Sequence, residues 1–156
     1  MSKIEIGKQV PEFNALATSE INFKLSDYQG KHLLLYFYPR DNTQGCTQEG
    51  QAFRDNYDKF MSKNVNIIGI SRDGIKAHEN FKAKYNFPFE LISDKDETVC
   101  QLFDVIKEKK MYGKTHMGIE RSSFLIDNKG VLVKQWRKVK VKDHLQQVLD
   151  EIEDLN

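Results

Sequence analysis

An apolar segment at residues 33–37 is followed by a proline and a short polar turn, and then by a cysteine where a helical pattern begins. Every side chain from 33 to 37 is apolar, which is typical of a strand buried on both faces of a parallel sheet. Cys46 comes at the start of the next helix, where backbone N–H groups lack partners and the helix dipole is positive. Both effects favour the thiolate, the reactive form of cysteine. The segment therefore predicts a buried strand that delivers a reactive thiol.

The rest of the chain alternates strands and helices and closes with a hairpin and a helix. Apolar residues at helical spacing predict helices at 46–62, at 77–85, within 94–104 and from about 141. Apolar runs or alternation predict strands at 13–17, 21–25, 33–37, 65–71, 89–92, 119–126 and 131–136. The segment 107–118 has no sustained period and is predicted to be a long surface loop. This order predicts an α/β three-layer sandwich, in which helices flank a mixed central sheet, as a single domain over 1–156.

Charge and hydropathy narrow the expected partners and location. Lys and Arg number 24 against 23 Asp and Glu, a net charge of +1, which gives no electrostatic reason to expect nucleic acid or an anionic membrane as a partner. Residues 1–8 contain no apolar core of a signal peptide, and no later run approaches the length of a membrane span. We therefore expect a cytoplasmic protein that binds neither nucleic acid nor a membrane.

Two cysteines are too few for a disulfide scaffold or a zinc cluster. Cys46 could be an inert core residue, but its polar neighbours and its position at a helix start favour a reactive thiol. Cys100 lies among apolar residues on a short predicted helix, where a structural role and a redox role fit equally well. Dithiol oxidoreductases of the thioredoxin type need a second cysteine three residues after the first, and Glu49 occupies that position. Such an enzyme is excluded.

The four histidines and Arg121 give little further indication of function from their positions in the sequence. The four histidines, at 32, 78, 116 and 144, show no metal-binding spacing. His78 and His144 fall on predicted helices and are expected to be solvent exposed, whereas His116 lies in the predicted loop and could approach a cleft. A Cys–His hydrolase is open in principle, but no local signature supports it. Arg121 falls on a predicted strand, and composition alone would make it an exposed strand arginine.

The segment from Pro39 to Cys46 contains the pattern Pro-x-x-x-Thr-x-x-Cys, which resembles the peroxidatic motif of the peroxiredoxins. Further matches, in order along nearly the whole chain, resemble the bacterioferritin comigratory protein (peroxiredoxin Q) subfamily. These matches are Tyr36-Phe37-Tyr38-Pro39-Arg40-Asp41-Asn42-Thr43, Gly45-Cys46-Thr47-x-Glu49, Gly69-Ile70-Ser71, Ser93-Asp94, Met117-Gly118-Ile119-x-Arg121 and Phe124-Leu125-Ile126-Asp127-x-x-Gly130. The resemblance implies a thioredoxin-like fold, which agrees with the α/β order above.

The resemblance also implies an activity, that of a thioredoxin-dependent peroxiredoxin, and assigns residues to it. Cys46 would attack the O–O bond of hydrogen peroxide or an organic hydroperoxide and become a sulfenic acid. Thr43 would orient the peroxide, Pro39 would shield the thiolate from water, and Arg121 would place a guanidinium near the thiolate, which favours the charged form. Glu49 would orient Arg121, with a solvated carboxylate in the first helical turn as the alternative. Neither a metal nor an organic cofactor is implied.

Two positions depart from the pattern of the subfamily. Gln44 stands where many members have proline, and Gln51 stands where many carry the resolving cysteine, five residues after the peroxidatic one. The sulfenic acid could then be reduced by Cys100, by a cysteine of a second subunit, or by an external thiol such as thioredoxin, glutaredoxin or a small thiol. We favour the external thiol and a one-cysteine mechanism, with Cys100 as the second choice.

The function of the whole protein has one further alternative. A redox sensor or chaperone-like regulatory protein would be oxidised once at Cys46 and would then change the state of a partner, whereas an enzyme turns over. We expect antioxidant defence by a peroxidase, and we expect a monomer, because the subfamily that the chain resembles is often monomeric.

Overall fold

A five-stranded mixed sheet forms the centre of the protein in a computed structural model that describes residues 3–155. The strands, numbered in chain order, are β1 (Asn14–Leu16), β2 (Asn22–Lys24), β3 (His32–Phe37), β4 (Val65–Ser71), β5 (Glu90–Ser93), β6 (Ile106–Met111), β7 (Lys114–Ile119), β8 (Ser122–Ile126) and β9 (Leu132–Trp136). The α-helices are α1 (Gln44–Asp55), α2 (Tyr57–Met61), α3 (Ile75–Tyr85), α4 (Thr98–Leu102) and α5 (Val141–Ile152), and a short 3₁₀ helix spans Leu25–Tyr28.

The central sheet has the strand order β5-β4-β3-β8-β9. β3 pairs with β4 and β4 with β5 in parallel, whereas β3 pairs with β8 and β8 with β9 in antiparallel fashion. The prediction of a mixed sheet between helices is therefore confirmed. Residues 1, 2 and 156 of the predicted domain lie outside the described residues. No helix in the described part of the chain has both the length and the apolar character needed to cross a membrane.

The side chains of β3 alternate between two hydrophobic cores, one on each face of the sheet. Leu35 and Phe37 belong to one core, together with residues of α4, β8 and the N-terminal segment. Leu34 and Tyr36 belong to the other, together with residues of α1, α3 and α5. Successive strand residues point to opposite faces, so a strand covered on both sides needs an apolar residue at every position. This explains the uninterrupted apolar run from 33 to 37.

The prediction of a surface loop at 107–118 was wrong, because this segment lies within an antiparallel hairpin. β6 and β7 pair from Ile106 with Ile119 to Met111 with Lys114, as a separate two-stranded sheet. Their connection has positive φ at two successive residues, 53° and 74°, as expected for a tight hairpin turn. Most side chains of this ribbon are exposed or half-buried, so the sequence lacks the apolar alternation by which strands are recognised.

Other boundaries also differ from those predicted. The helix predicted at 46–62 begins at Gln44 and is divided at Asn56 into α1 and α2. Arg121 lies in the short connection before β8 rather than on a strand. Both differences concern element ends, where local sequence patterns specify boundaries poorly.

The prediction that two histidines are solvent exposed was also wrong. His78 on α3 is 0% exposed and His144 on α5 is 1% exposed. His78 Nδ1 lies 2.6 Å from Asp41 Oδ2, and His144 Nε2 lies 2.8 Å from Ser123 Oγ. A buried histidine needs such partners, and here they come from segments distant in the sequence, which helical position alone does not reveal.

The contact between α1 and the loop before β5 gives a test of the packing. Gly50→Ala would normally stabilise a helix by about 1 kcal/mol. Here the new Cβ would lie 2.5 Å from Phe87 Cζ, and the Phe87 ring stacks on Phe89 with centroids 5.2 Å apart. We expect overpacking to dominate and the free energy of unfolding, measured by urea denaturation, to fall by about 1–3 kcal/mol. The exposed control Gln48→Ala should change it by less than about 0.5 kcal/mol. A Gly50→Ala protein at least as stable as the wild type would contradict this packing.

Candidate active site

The first turn of α1 holds Cys46 beyond the carboxyl end of β3. The helix starts at Gln44 and is preceded by Thr43, whose backbone is extended with φ −89° and ψ 160°. The amide N–H of Cys46 is thus among those that lack an acceptor within the helix. Its side chain is 2% exposed and belongs to the core between the sheet and α1. The thiol therefore sits at the positive end of the helix dipole in a largely water-free environment.

Arg121 bridges Cys46 and Glu49. Its Nη2 donates to Cys46 Sγ at 3.4 Å, and its Nη1 donates to Glu49 Oε1 at 2.7 Å. Cys46 and Glu49 are three residues apart on α1 and so share one helix face. Burial lowers the pKa of Arg121, but the neighbouring Glu49 and Cys46 outweigh this effect and raise it, so the guanidinium stays charged.

Sheet pairing explains how a residue so distant in the sequence reaches Cys46. Ser122, the first residue of β8, pairs with Phe37, the last residue of β3. Arg121 directly precedes β8 and therefore lies beside the loop that leads from β3 into α1. A Cβ on Gly45 would lie 3.2 Å from Arg121 Nη2, so a glycine at this position leaves room for the guanidinium. The register of β3 and β8, together with the small residue Gly45, determines where the Arg121 guanidinium lies.

Glu49 is buried, which excludes the alternative of a solvated first-turn carboxylate. Its side chain is 2% exposed, and desolvation raises its pKa to about 7 although the adjacent Arg121 favours the charged form. Oε2 is buried and makes no hydrogen bond to any described residue. Burial and the guanidinium thus act in opposite directions on the pKa of Glu49, and the effect of burial is the larger.

Pro39 and Thr43, in the loop that leads into α1, line a cavity of about 640 Å³. The Thr43 hydroxyl donates to Arg40 O at 2.9 Å. Because this hydrogen is engaged, the lone pairs of Oγ1 are free to accept a hydrogen bond from a ligand. His116, which the sequence suggested could approach a cleft, does line this cavity, although from β7 rather than from a loop. The charged residues of the lining are Arg40, Arg72, Asp73, Lys95, Glu97 and Lys109.

Cys100 lies on the other side of the central sheet. It is 0% exposed on α4 and belongs to the core opposite that of Cys46. Burial is the main factor that raises the pKa of its thiol, and Asp94 raises it further. The Asp94 carboxylate also accepts the Cys100 backbone N–H at 2.7 Å. Both cysteines are free thiols, separated by the sheet.

Two features near the site were not predicted from the sequence. Lys109 is half-buried on β6, and its pKa is lowered by burial and by the neighbouring Arg121. It was missed because its segment was predicted to be a loop. Asp41, Asp73 and His78 form the second feature, with potential ligand atoms within 4.8 Å of one another. Both carboxylate oxygens of Asp41, Oδ2 of Asp73 and both ring nitrogens of His78 already take part in hydrogen bonds, so the cluster is a hydrogen-bonded network.

Comparison with known proteins identifies the family. Residues 6–135 match the AhpC/TSA family. The chain belongs to this family. It is 48% identical over 153 residues to peroxiredoxin Bcp of Bacillus subtilis, with 98% of both chains covered. It is 51% identical over 125 residues to peroxiredoxin Bcp of Xanthomonas campestris, with 80% of this chain and 78% of that protein covered.

Solved structures agree with this assignment. A crystal structure of a PrxQ cysteine mutant from Xylella fastidiosa has a TM-score of 0.91 at 41% identity, with 98% of both chains covered. A structure of the Xanthomonas campestris bacterioferritin comigratory protein has a TM-score of 0.86 at 45% identity, with 90% of both chains covered, and its description refers to alkyl peroxide reduction by that protein. The protein is thus a thiol peroxidase of the Bcp/peroxiredoxin Q group with the thioredoxin fold, as the resemblance implied.

The raised pKa of Glu49 predicts a pH dependence of stability. Folding takes up a proton between the ordinary pKa of 4.5 and the raised value of about 7, so the native state binds more protons than the unfolded state in this window. The free energy of unfolding should therefore fall by about 3 kcal/mol as the pH rises through it. Glu49→Gln cannot ionise and should lack this part of the pH dependence. Urea denaturation at several pH values in this window measures the free energy of unfolding of the wild type and of Glu49→Gln. The same pH dependence in both proteins would show that the pKa of Glu49 is not raised by folding.

Proposed function

We propose that this peroxiredoxin reduces hydrogen peroxide and organic hydroperoxides at Cys46 by a one-cysteine mechanism, with an external thiol as the reductant. The observation that carries the proposal is the Arg121 guanidinium, 3.4 Å from Cys46 Sγ and 2.7 Å from Glu49 Oε1. Alkyl peroxide reduction by the Xanthomonas campestris relative supports the inclusion of organic hydroperoxides among the substrates.

The first step is nucleophilic displacement at oxygen. The Cys46 thiolate attacks one peroxide oxygen, an S–O bond forms, the O–O bond breaks, and the leaving oxygen takes a proton to become water or an alcohol. Negative charge moves from sulfur to the leaving oxygen during this step. The Arg121 fork and the N–H groups at the start of α1 are fixed donors close to both atoms, and such donors stabilise the developing charge without reorganisation.

Thr43 and Pro39 complete the pocket in this proposal. The Thr43 hydroxyl donates to Arg40 O, so Oγ1 accepts a hydrogen bond from the O–H of the peroxide and aligns it with the thiolate. Pro39 is half-buried, has no N–H of its own, and limits the access of water to the sulfur. Glu49 holds the guanidinium in place through Oε1.

The second step is reduction of the sulfenic acid by an external thiol. The thiol attacks Cys46 sulfur, releases water and leaves a mixed disulfide, and a second thiol then restores Cys46. Burial of Cys100 in the opposite core and the glutamine at position 51 support an external thiol over Cys100 as the resolving group. Thioredoxin, glutaredoxin and small thiols all supply the required chemistry. Cys46 is 2% exposed, so the first turn of α1 must unwind before a protein thiol reaches it.

A monomer in the cytoplasm is part of the same proposal. The exposed large apolar side chains of the described residues lie on several separate segments: Ile6, Leu16, Ile21, Met61, and Met111, Tyr112 and Met117 of the β6–β7 hairpin. Scattered apolar residues are normal on the surface of a monomer. Reduced external thiols are available in a reducing compartment, which agrees with two free cysteines.

Arg121→Ala tests the electrostatic part of the mechanism. Loss of a fixed donor at the reacting atoms should lower the second-order rate constant for Cys46 oxidation by hydrogen peroxide by about 10²- to 10³-fold. Stopped-flow tryptophan fluorescence or competition kinetics measures this constant. Arg121→Lys keeps the charge without the fork and should retain an intermediate rate. An unchanged rate in Arg121→Ala, with circular dichroism showing a folded protein, would remove Arg121 from the site.

The roles of the two cysteines are tested by turnover. With an excess of external thiol, Cys100→Ser should consume peroxide repeatedly at a rate close to that of the wild type, whereas Cys46→Ser should not consume it above background. Serine is nearly isosteric with cysteine, so the two variants are matched. Peroxide consumption by Cys46→Ser would contradict the proposal. A wild-type protein oxidised only once, without turnover, would indicate the redox-sensor alternative instead.

A further inference from the structure

The loop at 39–43, which carries the peroxide-binding groups into α1, is fastened to the body of the protein through Asp41. The Tyr38 hydroxyl donates to Asp41 Oδ1 at 2.7 Å, and His78 Nδ1 lies 2.6 Å from Asp41 Oδ2. The Asp41 backbone N–H donates to Asp73 Oδ2 at 2.8 Å. These contacts involve three separate elements or loops, so the position of Asp41 is fixed by the fold rather than by the loop itself.

The surroundings of His78 show that it is built to hold this carboxylate. The ring is 0% exposed, and its Nε2 lies 2.8 Å from the backbone oxygen of Ile92. A carbonyl oxygen only accepts, so Nε2 carries a hydrogen and donates it. The contact of Nδ1 with Asp41 Oδ2 then also requires a hydrogen between them, because two lone pairs would repel each other at 2.6 Å. Asp41 and His78 are therefore joined by a buried hydrogen bond.

The residue that follows Asp41 is in an uncommon backbone conformation. Asn42 has a φ of 60°, in the left-handed region, and its Oδ1 accepts hydrogen bonds from Lys84 Nζ at 3.2 Å and Tyr85 Oη at 3.1 Å. Such conformations persist where the surrounding structure holds them in place. The loop is thus held against α3 at 41 and 42. The residues that follow include Thr43, which lines the cavity, and Cys46, which contacts Arg121.

We propose that Asp41 and His78 are positioning residues that hold the loop and the first turn of α1 in the conformation that reacts with peroxide. Their hydrogen bond fixes the distance of Thr43 from Cys46 during oxidation. Its loss favours the unwound conformation in which the sulfenic acid is open to a thiol. The pair thus sets the balance between the two half-reactions. This inference rests on the proposed function, since it assumes that Cys46 is oxidised and then reduced by an external thiol.

The two half-reactions are measured separately to test this inference. Reduced protein is mixed with hydrogen peroxide to obtain the oxidation rate constant, and the sulfenic acid is then mixed with 2-mercaptoethanol to obtain the rate constant of mixed-disulfide formation. In His78→Leu the oxidation rate constant should fall by about tenfold or more, because misplacement of the reacting groups slows the attack on peroxide. The rate constant of mixed-disulfide formation should rise several-fold, because a larger fraction of the protein has the first turn of α1 unwound. A variant in the hydrophobic core away from this loop controls for a general loss of stability.

Three further variants complete the test. Asp41→Asn introduces an amide that can donate to a neutral His78 and accept from Tyr38. Both rate constants should therefore stay within about threefold of the wild type. Tyr38→Phe removes one donor to Asp41 without a cavity, and should shift both constants in the same directions as His78→Leu by a smaller factor. Val65→Ala is the control. Val65 lies in the same hydrophobic core as Tyr38, but at the end of β4 that pairs with the start of β3. The two rate constants of this variant should not change in opposite directions.

The outcomes separate this inference from the proposed function. Unchanged constants in His78→Leu and Tyr38→Phe, or a parallel fall of both constants, would overturn the positioning role while the wild type still reduces peroxide. Opposed changes of equal size in Val65→Ala would overturn it as well, since they would reflect general destabilisation. A wild-type protein that forms no sulfenic acid at Cys46 would overturn the proposed function itself, and this inference with it.

Discussion

The antiparallel register of β3 and β8 places a guanidinium against a buried thiol, and the rest of the site is arranged around that contact. Arg121 is 75 residues from Cys46 in the sequence, yet the pairing of Ser122 with Phe37 puts it beside the loop that ends β3. Burial of a cation, a carboxyl group and a thiol is costly unless each has a partner. Here the guanidinium of Arg121 contacts both Cys46 and Glu49 on the same face of α1, so the three side chains form one hydrogen-bonded network.

The same sheet separates the two cysteines. Because β3 is covered on both faces, it divides the interior into two cores, and α1 and α4 contribute one cysteine to each. This separation supports the proposal that an external thiol, rather than Cys100, reduces Cys46. Access for that thiol depends on the first turn of α1 and on the loop before it. Reactivity toward peroxide and reduction by a thiol thus make opposite demands on the same short segment.

The sequence predicted those parts of the fold whose signals are local. The strands at 33–37 and 65–71 and the helix start near Cys46 follow from apolar runs and turn residues. The hairpin of β6 and β7 was missed because its exposed side chains show no alternation, and the burial of His78 was missed because its partners come from distant segments. Residue patterns alone gave no reason to place Arg121 beside Cys46, and only the resemblance to peroxiredoxins suggested it.

We infer that peroxide oxidises Cys46 alone and that Cys100 takes no part. Intact-mass analysis of the wild-type protein after one equivalent of hydrogen peroxide, without any added thiol, tests it most directly. We expect a gain of one oxygen atom, and conversion of that product to a mixed disulfide when a small thiol is added. A loss of two hydrogen atoms in the monomer, with peptide mapping that links Cys46 to Cys100, would show instead that Cys100 resolves the sulfenic acid.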